Sequence, residues 1–195
     1  MKLLWGICGS FCNHPTIIQL LKKLTSEYDL DLQFVISEKC VQCDTRFGTS
    51  EQLIQSLELI SHKKVFTSIV QAETVGPYSD FDAFVIAPCT ASCLSRLAHG
   101  LYDHSVALCA KAMLRNQKPV ILAIASNDIL STSSVNLFQL IQHKDIYVVP
   151  FYQDDPIRKP NSCISDFSLI YDTLYKAIEG QQIQPILIQK GKKDE

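Results

Sequence analysis

The stretch LLWGICGSFCN, residues 3–13, sets an unbroken apolar run directly before a loop of small and polar residues. Similar apolar runs recur along the chain and alternate with longer segments of helical periodicity. This alternation is the pattern of βαβ units around a parallel sheet. Several runs are apolar at successive positions, as expected for strands that helices cover on both faces. The predicted strands are residues 3–8, 32–36, 65–70, 83–87, 120–124 and 146–149.

Helical periodicity fills most of the segments between these runs. Ile17, Leu20, Leu21 and Leu24 recur at the spacing of one helix face. Asp103 is the predicted N-cap of a later helix that runs to residue 116. Further helices are predicted at residues 53–60, 90–98 and 167–178. The sequence therefore predicts an α/β fold with a single doubly wound parallel sheet, in three layers α/β/α.

The composition fits one folded domain. The chain has 195 residues, of which 47% are hydrophobic and 19% charged, and no internal repeat or flexible linker divides it. The formal net charge of -2 argues against nucleic-acid and anionic-membrane partners, because both favour a concentrated excess of Lys and Arg. We expect one domain over residues 1–187 and a disordered polar C-terminal tail over residues 188–195.

The N-terminal apolar run is too short for a signal peptide, and no stretch reaches the roughly 18 apolar residues of a membrane helix. We therefore expect a cytoplasmic protein. In that setting the eight cysteines are predicted to be free thiols. Cys40 and Cys43 form a C-x-x-C pair, but no second Cys or His pair with suitable spacing completes a zinc site. No metal site is expected.

The loops that follow the predicted strands are small and polar, and they are residues 9–13, 37–39, 88–92 and 125–128. Ligands of a doubly wound sheet bind beyond the carboxyl ends of its strands, so these loops are the first candidates for a site. Backbone N–H groups and helix N-termini at such loops favour a phosphate. Ser and Thr at these positions also act as simple N-caps and turn residues. The pattern leaves FMN, a dinucleotide and a sugar phosphate open as ligands.

Two common nucleotide-binding fingerprints are absent. The pattern G-x-G-x-x-G is incomplete because Cys12 stands three residues after Gly9, and no G-x-x-x-x-G-K-[ST] phosphate loop occurs. Their absence disfavours a nicotinamide dinucleotide or ATP as the principal ligand. No catalytic triad is identified by spacing, since such sets are defined by geometry. His14, which follows the candidate loop at residues 9–13, and His104, which follows the Gly100–Asp103 turn, are candidates for proton transfer.

Two groups of motifs resemble known flavoproteins. APCTASC at residues 87–93, with Gly100 and Asp103 behind it, resembles the P-A-S-A-N-T and G-x-x-D segments of the FMN-binding flavoproteins that include cysteine decarboxylases. A closer resemblance is to the family of dipicolinate synthase B subunits. The motifs that carry it are GSFC at 9–12, DTRFG at 44–48, IAPCT at 86–90, QDDP at 153–156 and KPNS at 159–162.

This resemblance implies a flavodoxin-like or Rossmann-like fold that binds FMN at a subunit interface of a homo-oligomer. It also implies a partner A subunit that carries the NAD(P)-binding domain. Together the two subunits would oxidise a dihydrodipicolinate-type precursor to dipicolinate during sporulation, in the mother cell of an endospore-former. The expected cofactor-binding residues are Gly9, Ser10, Phe11, Ser37, Pro88, Thr90, Ser92, Cys93, Ala125, Ser126 and Asn127.

Arg46 is the predicted catalytic residue, because a guanidinium binds a carboxylate at two points and the implied substrate is a small dicarboxylate. Arg158 and Lys159 are further candidates for this task or for contact with the partner. One alternative function is a flavin-holding structural partner that performs no redox chemistry. Another is a flavin-dependent decarboxylase or flavin prenyltransferase. The decarboxylase is disfavoured because residues 73–77 read ETVGP where those relatives carry a histidine.

Overall fold

A seven-stranded sheet forms the centre of the computed structural model, which describes residues 1–78 and 80–189. The strands are β1 Lys2–Ile7, β2 Asp31–Ile36, β3 Ala83–Cys89, β4 Val120–Ser126, β5 Ile146–Val148, β6 Phe151–Tyr152 and β7 Cys163–Ser165. Strands β2, β1, β3, β4 and β5 pair in that order and are all parallel. The predicted doubly wound α/β fold is confirmed.

Helices cover both faces of the sheet. They are α1 His14–Glu27, α2 Glu38–Gln42, α3 Ser50–Ser61, α4 Ile69–Glu73, α5 Val75–Tyr78, α6 Ala91–Ala98, α7 Ser105–Arg115, α8 Ser134–Leu140 and α9 Ile170–Ile178. Helices α1, α3 and α9 pack on one face, and α4 to α8 pack on the other. No helix within the described part of the chain is long and apolar enough to cross a bilayer.

An antiparallel extension completes the sheet beyond β4. Strand β5 pairs with the first half of β4, whereas β7 pairs with its last two residues and runs antiparallel to both β4 and β6. Ser165 connects the antiparallel part of the sheet to the parallel part. Its Oγ accepts the Ile124 N–H at 2.9 Å and donates to the Val149 carbonyl at 3.0 Å. The apolar runs did not predict this hairpin because its strands have only two and three residues. The hairpin brings residues 153–162 to the carboxyl end of β4.

Two local predictions were wrong. Residues 65–70 are not a strand: Phe66 alone forms a bridge, to Val35, and Ser68 then caps α4 by accepting the Gln71 N–H. A short apolar run is compatible with either a strand or a helix, and here the N-cap serine decides. The N-cap of α7 is His104, whose Nδ1 accepts the Ala107 N–H at 3.0 Å, and not Asp103.

The C-terminal segment crosses back to the sheet. The Phe151 N–H donates to the Ile186 carbonyl at 2.9 Å, and the Ile188 N–H donates to the Phe151 carbonyl at 3.1 Å. These bonds pair the chain as far as Ile188, one residue beyond the predicted domain boundary. Residues 190–195 of the predicted tail lie outside the described residues.

Gly6 on β1 allows the sheet and α7 to approach each other closely. A Cβ at this position would lie 2.9 Å from Cζ of Phe84, which is closer than real Cβ atoms approach, and 3.1 Å from Cγ1 of Val106, which is tighter than most such contacts. We therefore expect Gly6→Ala to lower the free energy of unfolding by about 1–3 kcal/mol, the usual cost of overpacking a core. Urea unfolding of the ligand-free protein measures this effect. A change below about 0.5 kcal/mol at an unchanged m-value would contradict it.

Candidate functional site

The strand order reverses direction at β1, because the chain passes from β1 to β2 on one side and later to β3 on the other. Ligands of doubly wound sheets bind at such a switch point, outside the carboxyl ends of the strands. A cavity of about 970 Å³ opens there. Its volume lies near the upper end of the roughly 300–1,000 Å³ that small-molecule sites occupy. We call it the main cavity.

Most of the expected cofactor-binding residues line the main cavity. They are Gly9, Ser10, Phe11, Ser37, Thr90, Ser92, Cys93, Ala125, Ser126 and Asn127. Pro88 lies buried in β3, and its carbonyl accepts the Cys8 N–H at 3.2 Å. Arg46 is exposed on a turn, where its guanidinium carbon lies 4.8 Å from the centre of the Phe47 ring. Phe47 reaches the main cavity, whereas Arg46 is not among the residues that line it.

The loop after β1 forms one wall of the cavity. Its turn is held by the Ser10 N–H, which donates to the Cys8 carbonyl at 2.9 Å, and by the Asn13 side-chain amide, which donates to Ser10 Oγ at 2.9 Å. A single turn of 3-10 helix, Phe11–Asn13, then leads directly into α1. A Cβ built on Gly9 would lie 3.7 Å from Cβ of Lys39. The backbone of Lys39 therefore lies next to this loop, and a lysine beside a loop that leads into a helix N-terminus is an arrangement that suits an anion.

The loop after β3 forms the floor. Thr90 caps α6, since its Oγ1 accepts the Cys93 N–H at 3.4 Å, and the N-terminus of α6 therefore borders the cavity. Cys8 and Cys93 are both buried at this floor. The hydrogen bond between their thiols, together with burial, raises the pKa of Cys8 well above its ordinary value. Cys8 is therefore a neutral packing group at neutral pH and not a thiolate nucleophile.

The loop after β4 forms the opposite wall and is held by Asp128. One oxygen of this carboxylate accepts the Ser126 hydroxyl at 2.6 Å, and the other accepts the Ser133 hydroxyl at 2.7 Å. The Ser162 hydroxyl donates to the Ser126 carbonyl at 3.4 Å and so ties the β6–β7 segment to this wall. The wall is thus fixed by side-chain hydrogen bonds that connect two separate parts of the chain.

Of the charged residues that line the cavity, sequence reasoning gave no role to Arg96 and Asp154. Lys39 and Asp128 lay within the candidate loops, and His104 and Lys159 were named as candidates for proton transfer and for carboxylate or partner contact. Arg96 lies on α6 and donates from Nε to Asp103 Oδ1 at 2.9 Å. The aspartate of the G-x-x-D segment was the one available signal for this pair. Lys159 and Asp154 reach the site only through the β6–β7 hairpin, for which no periodic pattern exists.

His104 is held at the edge of the cavity in its neutral form. Its Nδ1 accepts the Ala107 N–H, so the neutral ring carries its proton on Nε2. Burial lowers the pKa of His104 below its ordinary 6.5, although the Glu38 carboxylate acts in the opposite direction. Glu38 is itself fixed, because it accepts the Ser105 backbone N–H at 2.9 Å at the first turn of α7.

The neutral state of His104 predicts a loss of stability in acid. The unfolded chain regains a pKa near 6.5 and binds more protons than the folded chain, so the free energy of unfolding falls as the pH drops below about 6.5. His104→Asn keeps an N-cap acceptor that does not titrate, and we expect a shallower decline. Urea unfolding between about pH 8 and pH 5 tests this, with the exposed His62→Asn as the control. Equal slopes in the two variants would contradict the prediction.

A smaller cavity of about 200 Å³ adjoins the main cavity and shares Phe11 and Phe47 with it. It also contains His14, whose Nε2 lies 2.9 Å from the Cys8 carbonyl oxygen and whose pKa burial lowers. Cys40 closes its inner end, and burial raises the pKa of this thiol to about 12. Within residues 1–78 and 80–189, no three His, Cys, Asp or Glu side chains are grouped as a metal site requires.

The flavoprotein family model matches residues 1–177. The chain belongs to the flavoprotein family. It is also similar to the B subunit of dipicolinate synthase from Bacillus subtilis, with 36% identity over 185 residues that cover 95% of this chain and 92% of that protein. The resemblance predicted from the motifs is therefore confirmed.

Solved structures of flavoproteins share the fold. The crystal structure of the dipicolinate synthase B subunit from Bacillus halodurans superposes with a TM-score of 0.87 at 34% identity, covering 97% of this chain and 96% of that chain. An FMN-dependent cysteine decarboxylase from thioviridamide biosynthesis superposes with a TM-score of 0.67 at 21% identity, covering 92% of this chain and 98% of that one. The second likeness shows a shared fold alone.

Proposed function

We propose that this flavoprotein binds FMN in the main cavity and acts as the B subunit of a dipicolinate synthase. In that role it contributes to the NAD(P)-linked oxidation of a dihydrodipicolinate-type precursor to dipicolinate during sporulation. The observation that carries the proposal is the cavity at the β1–β3 switch point, in a chain 36% identical to the B subunit of a dipicolinate synthase.

The lining of the main cavity fits FMN. Gly9 has no side chain that would keep a phosphate away from the backbone. Ser10 offers a hydroxyl and Lys39 a positive charge, and the three together suit a phosphate. The loops after β3 and β4 offer small side chains such as Thr90, Ser92 and Asn127, which leave room for a flat ring system and donate hydrogen bonds to its polar edge. These residues would hold the cofactor and orient it. FMN, when bound, would supply the two-electron acceptor that none of these side chains provides.

The NAD(P) chemistry is assigned to a partner A subunit. No dinucleotide fingerprint follows β1, because Cys12 interrupts the G-x-G-x-x-G pattern. The Bacillus subtilis relative is a B subunit by name, which supports a complex of at least two kinds of chain. A related FMN-dependent decarboxylase is dodecameric, which supports assembly of this chain into a homo-oligomer as well. The complex would act in the cytoplasm of the mother cell.

A second candidate is a flavin-holding partner that shapes the A subunit without exchanging electrons. It is favoured by one observation: no nicotinamide-binding fingerprint follows β1, so hydride transfer to NAD(P) would take place on the other chain. The two candidates differ in whether the bound flavin is reduced by substrate when the A subunit is absent.

The absorption spectrum of the purified chain tests the first step, because bound FMN gives a yellow protein with an oxidised-flavin band. Addition of the dihydrodipicolinate precursor without oxygen should then bleach this band. The bleaching step should itself form dipicolinate. Addition of the A subunit with NADP should then restore the colour, as the reduced flavin passes its electrons to NADP, and should allow further precursor to be oxidised. A chain that takes up no added FMN would contradict the proposal, whereas FMN uptake without bleaching would favour the flavin-holding partner.

A further inference from the structure

Two adjacent cations on the β6–β7 segment have different surroundings. Arg158 donates from its backbone N–H and from Nε to the two carboxylate oxygens of Asp155, at 3.1 and 2.7 Å, and its side chain is 85% exposed. It is not among the residues that line the main cavity. Lys159 lines the cavity, and its Nζ lies 3.8 Å from Asp154 Oδ2, near the outer limit of an ion pair. The charge of Arg158 is therefore paired at the surface outside the cavity, whereas Lys159, whose side chain is 58% exposed, borders the cavity.

The backbone around Lys159 is held in place before any ligand binds. The Ser162 N–H donates to the Lys159 carbonyl at 3.0 Å, and the Lys159 N–H donates to the Asp155 carbonyl at 2.8 Å. The Leu130 N–H donates to the Asn161 carbonyl at 3.0 Å, which ties the segment to the loop after β4. Because the backbone is fixed on both sides of Lys159, only the lysine side chain has to be ordered when a ligand binds.

Lys159 and Lys39 stand at opposite ends of the main cavity. Lys39 follows β2 and borders the Gly9 loop after β1, whereas Lys159 lies between β6 and β7. Three strand spacings separate β1 from β7, which amounts to roughly 14 Å at the usual distance of about 4.8 Å between strands. Arg96, the cation between them, is already engaged by Asp103. The cavity thus has one lysine near the Gly9 loop and a second on the β6–β7 segment, and a phosphate at the Gly9 loop would face only the first of them.

We propose that Lys159 binds a carboxylate of the planar dicarboxylate that this protein acts on, at the end of the cavity opposite the Gly9 loop. This inference rests on the proposed function. A carboxylate at Nζ would form a charge-assisted hydrogen bond of about 2.7–2.9 Å, shorter than the 3.8 Å contact with Asp154. Asp154 would then act as a positioning residue that keeps the ammonium group directed into the cavity.

Ligand titration of the FMN-loaded chain tests the proposal, with dipicolinate and its monocarboxylate analogue picolinate as probes. Flavin absorbance and calorimetry report the two dissociation constants. Lys159→Gln should weaken dipicolinate binding by at least about tenfold, as loss of one charge-assisted hydrogen bond does, and should remove most of the preference for dipicolinate over picolinate. Arg158→Gln is the matched control, and it should leave both dissociation constants and the FMN affinity unchanged.

The results that would overturn this proposal differ from those that would overturn the proposed function. Lys159 is excluded as the carboxylate site if its variant loses FMN and dipicolinate affinity to the same extent, or if Arg46→Gln weakens dipicolinate binding and Lys159→Gln does not. A wild-type chain that binds no dipicolinate would also overturn the proposal. If the proposed function is wrong, the chain takes up no FMN. In that case calorimetry on the flavin-free chain still compares dipicolinate binding between the wild type and Lys159→Gln.

Discussion

Gly9→Asp should weaken FMN binding by at least about a hundredfold. A carboxylate on the β1 loop would face the phosphate of the bound cofactor and would also pair with Lys39, whose Cβ lies 3.7 Å from the position of the new side chain. Two unit charges about 4 Å apart near a protein surface repel by roughly 4 kcal/mol, and solvent screening reduces this energy to the effect stated. The measurement is the dissociation constant of FMN, from quenching of flavin fluorescence.

Gly9→Asn is the matched control, because asparagine has the same shape without the charge. A Cβ at Gly9 would meet the Phe11 ring at 3.5 Å, which is an ordinary contact, and Gly9 does not adopt a positive φ. Both variants should therefore fold with a free energy of unfolding within about 1 kcal/mol of the wild type. Equal FMN affinities for the Asp and Asn variants would mean that the phosphate does not bind at this loop.

Trp5→Ala should lower the free energy of unfolding by about 3–5 kcal/mol, the range for removal of a buried aromatic side chain. Trp5 is fully buried on the middle strand of the switch point, and its Nε1 donates to the Ala87 carbonyl at 3.1 Å. The loss is a large fraction of the roughly 5–15 kcal/mol by which domains are stable. Urea unfolding without FMN gives the value, since a bound ligand would add its own stabilisation.

Trp5→Phe separates packing from hydrogen bonding. It keeps most of the aromatic volume but leaves the Ala87 carbonyl without the indole donor, so we expect a smaller loss of about 1–3 kcal/mol. This variant also keeps the prediction testable if Trp5→Ala does not fold. A Trp5→Ala loss below about 1 kcal/mol at an unchanged m-value would contradict the prediction, because even full collapse of the cavity leaves the cost of the lost apolar burial.

The main parallel sheet and most of the site walls could be predicted from the sequence. Each apolar run is followed at once by small polar residues, and parallel strands bring those residues to one edge of the sheet. The loops at Gly9, Ser37, Thr90 and Ser126 therefore meet in one cavity, as expected. The prediction of a strand at residues 65–70 was wrong because local hydrophobicity does not distinguish a short buried strand from the start of a helix.

Arg46 shows where motif reasoning reaches its limit. Its residue type suits a carboxylate, but the structure leaves its guanidinium on the Phe47 ring at the surface. Its role in the reaction stays a prediction. Lys159, with the same charge, lines the main cavity because a hairpin of two very short strands returns to β4. Strands of two or three residues have too few positions to show a period, so hydrophobic periodicity did not indicate this placement, and the sequence named Lys159 only together with Arg158 as an alternative to Arg46.

By itself the sequence determined the fold class, the family and the loops that border the switch point, because the hydrophobicity of each strand and the residues that follow it are local properties of the chain. Only the tertiary structure decided which charges reach the cavity. Lys39 is brought there by β2, Arg96 by α6 and Lys159 by the antiparallel hairpin, three elements far apart in the chain. The electrostatics of the site depend on such long-range packing, since a side chain's charge is encoded locally but its neighbours are not.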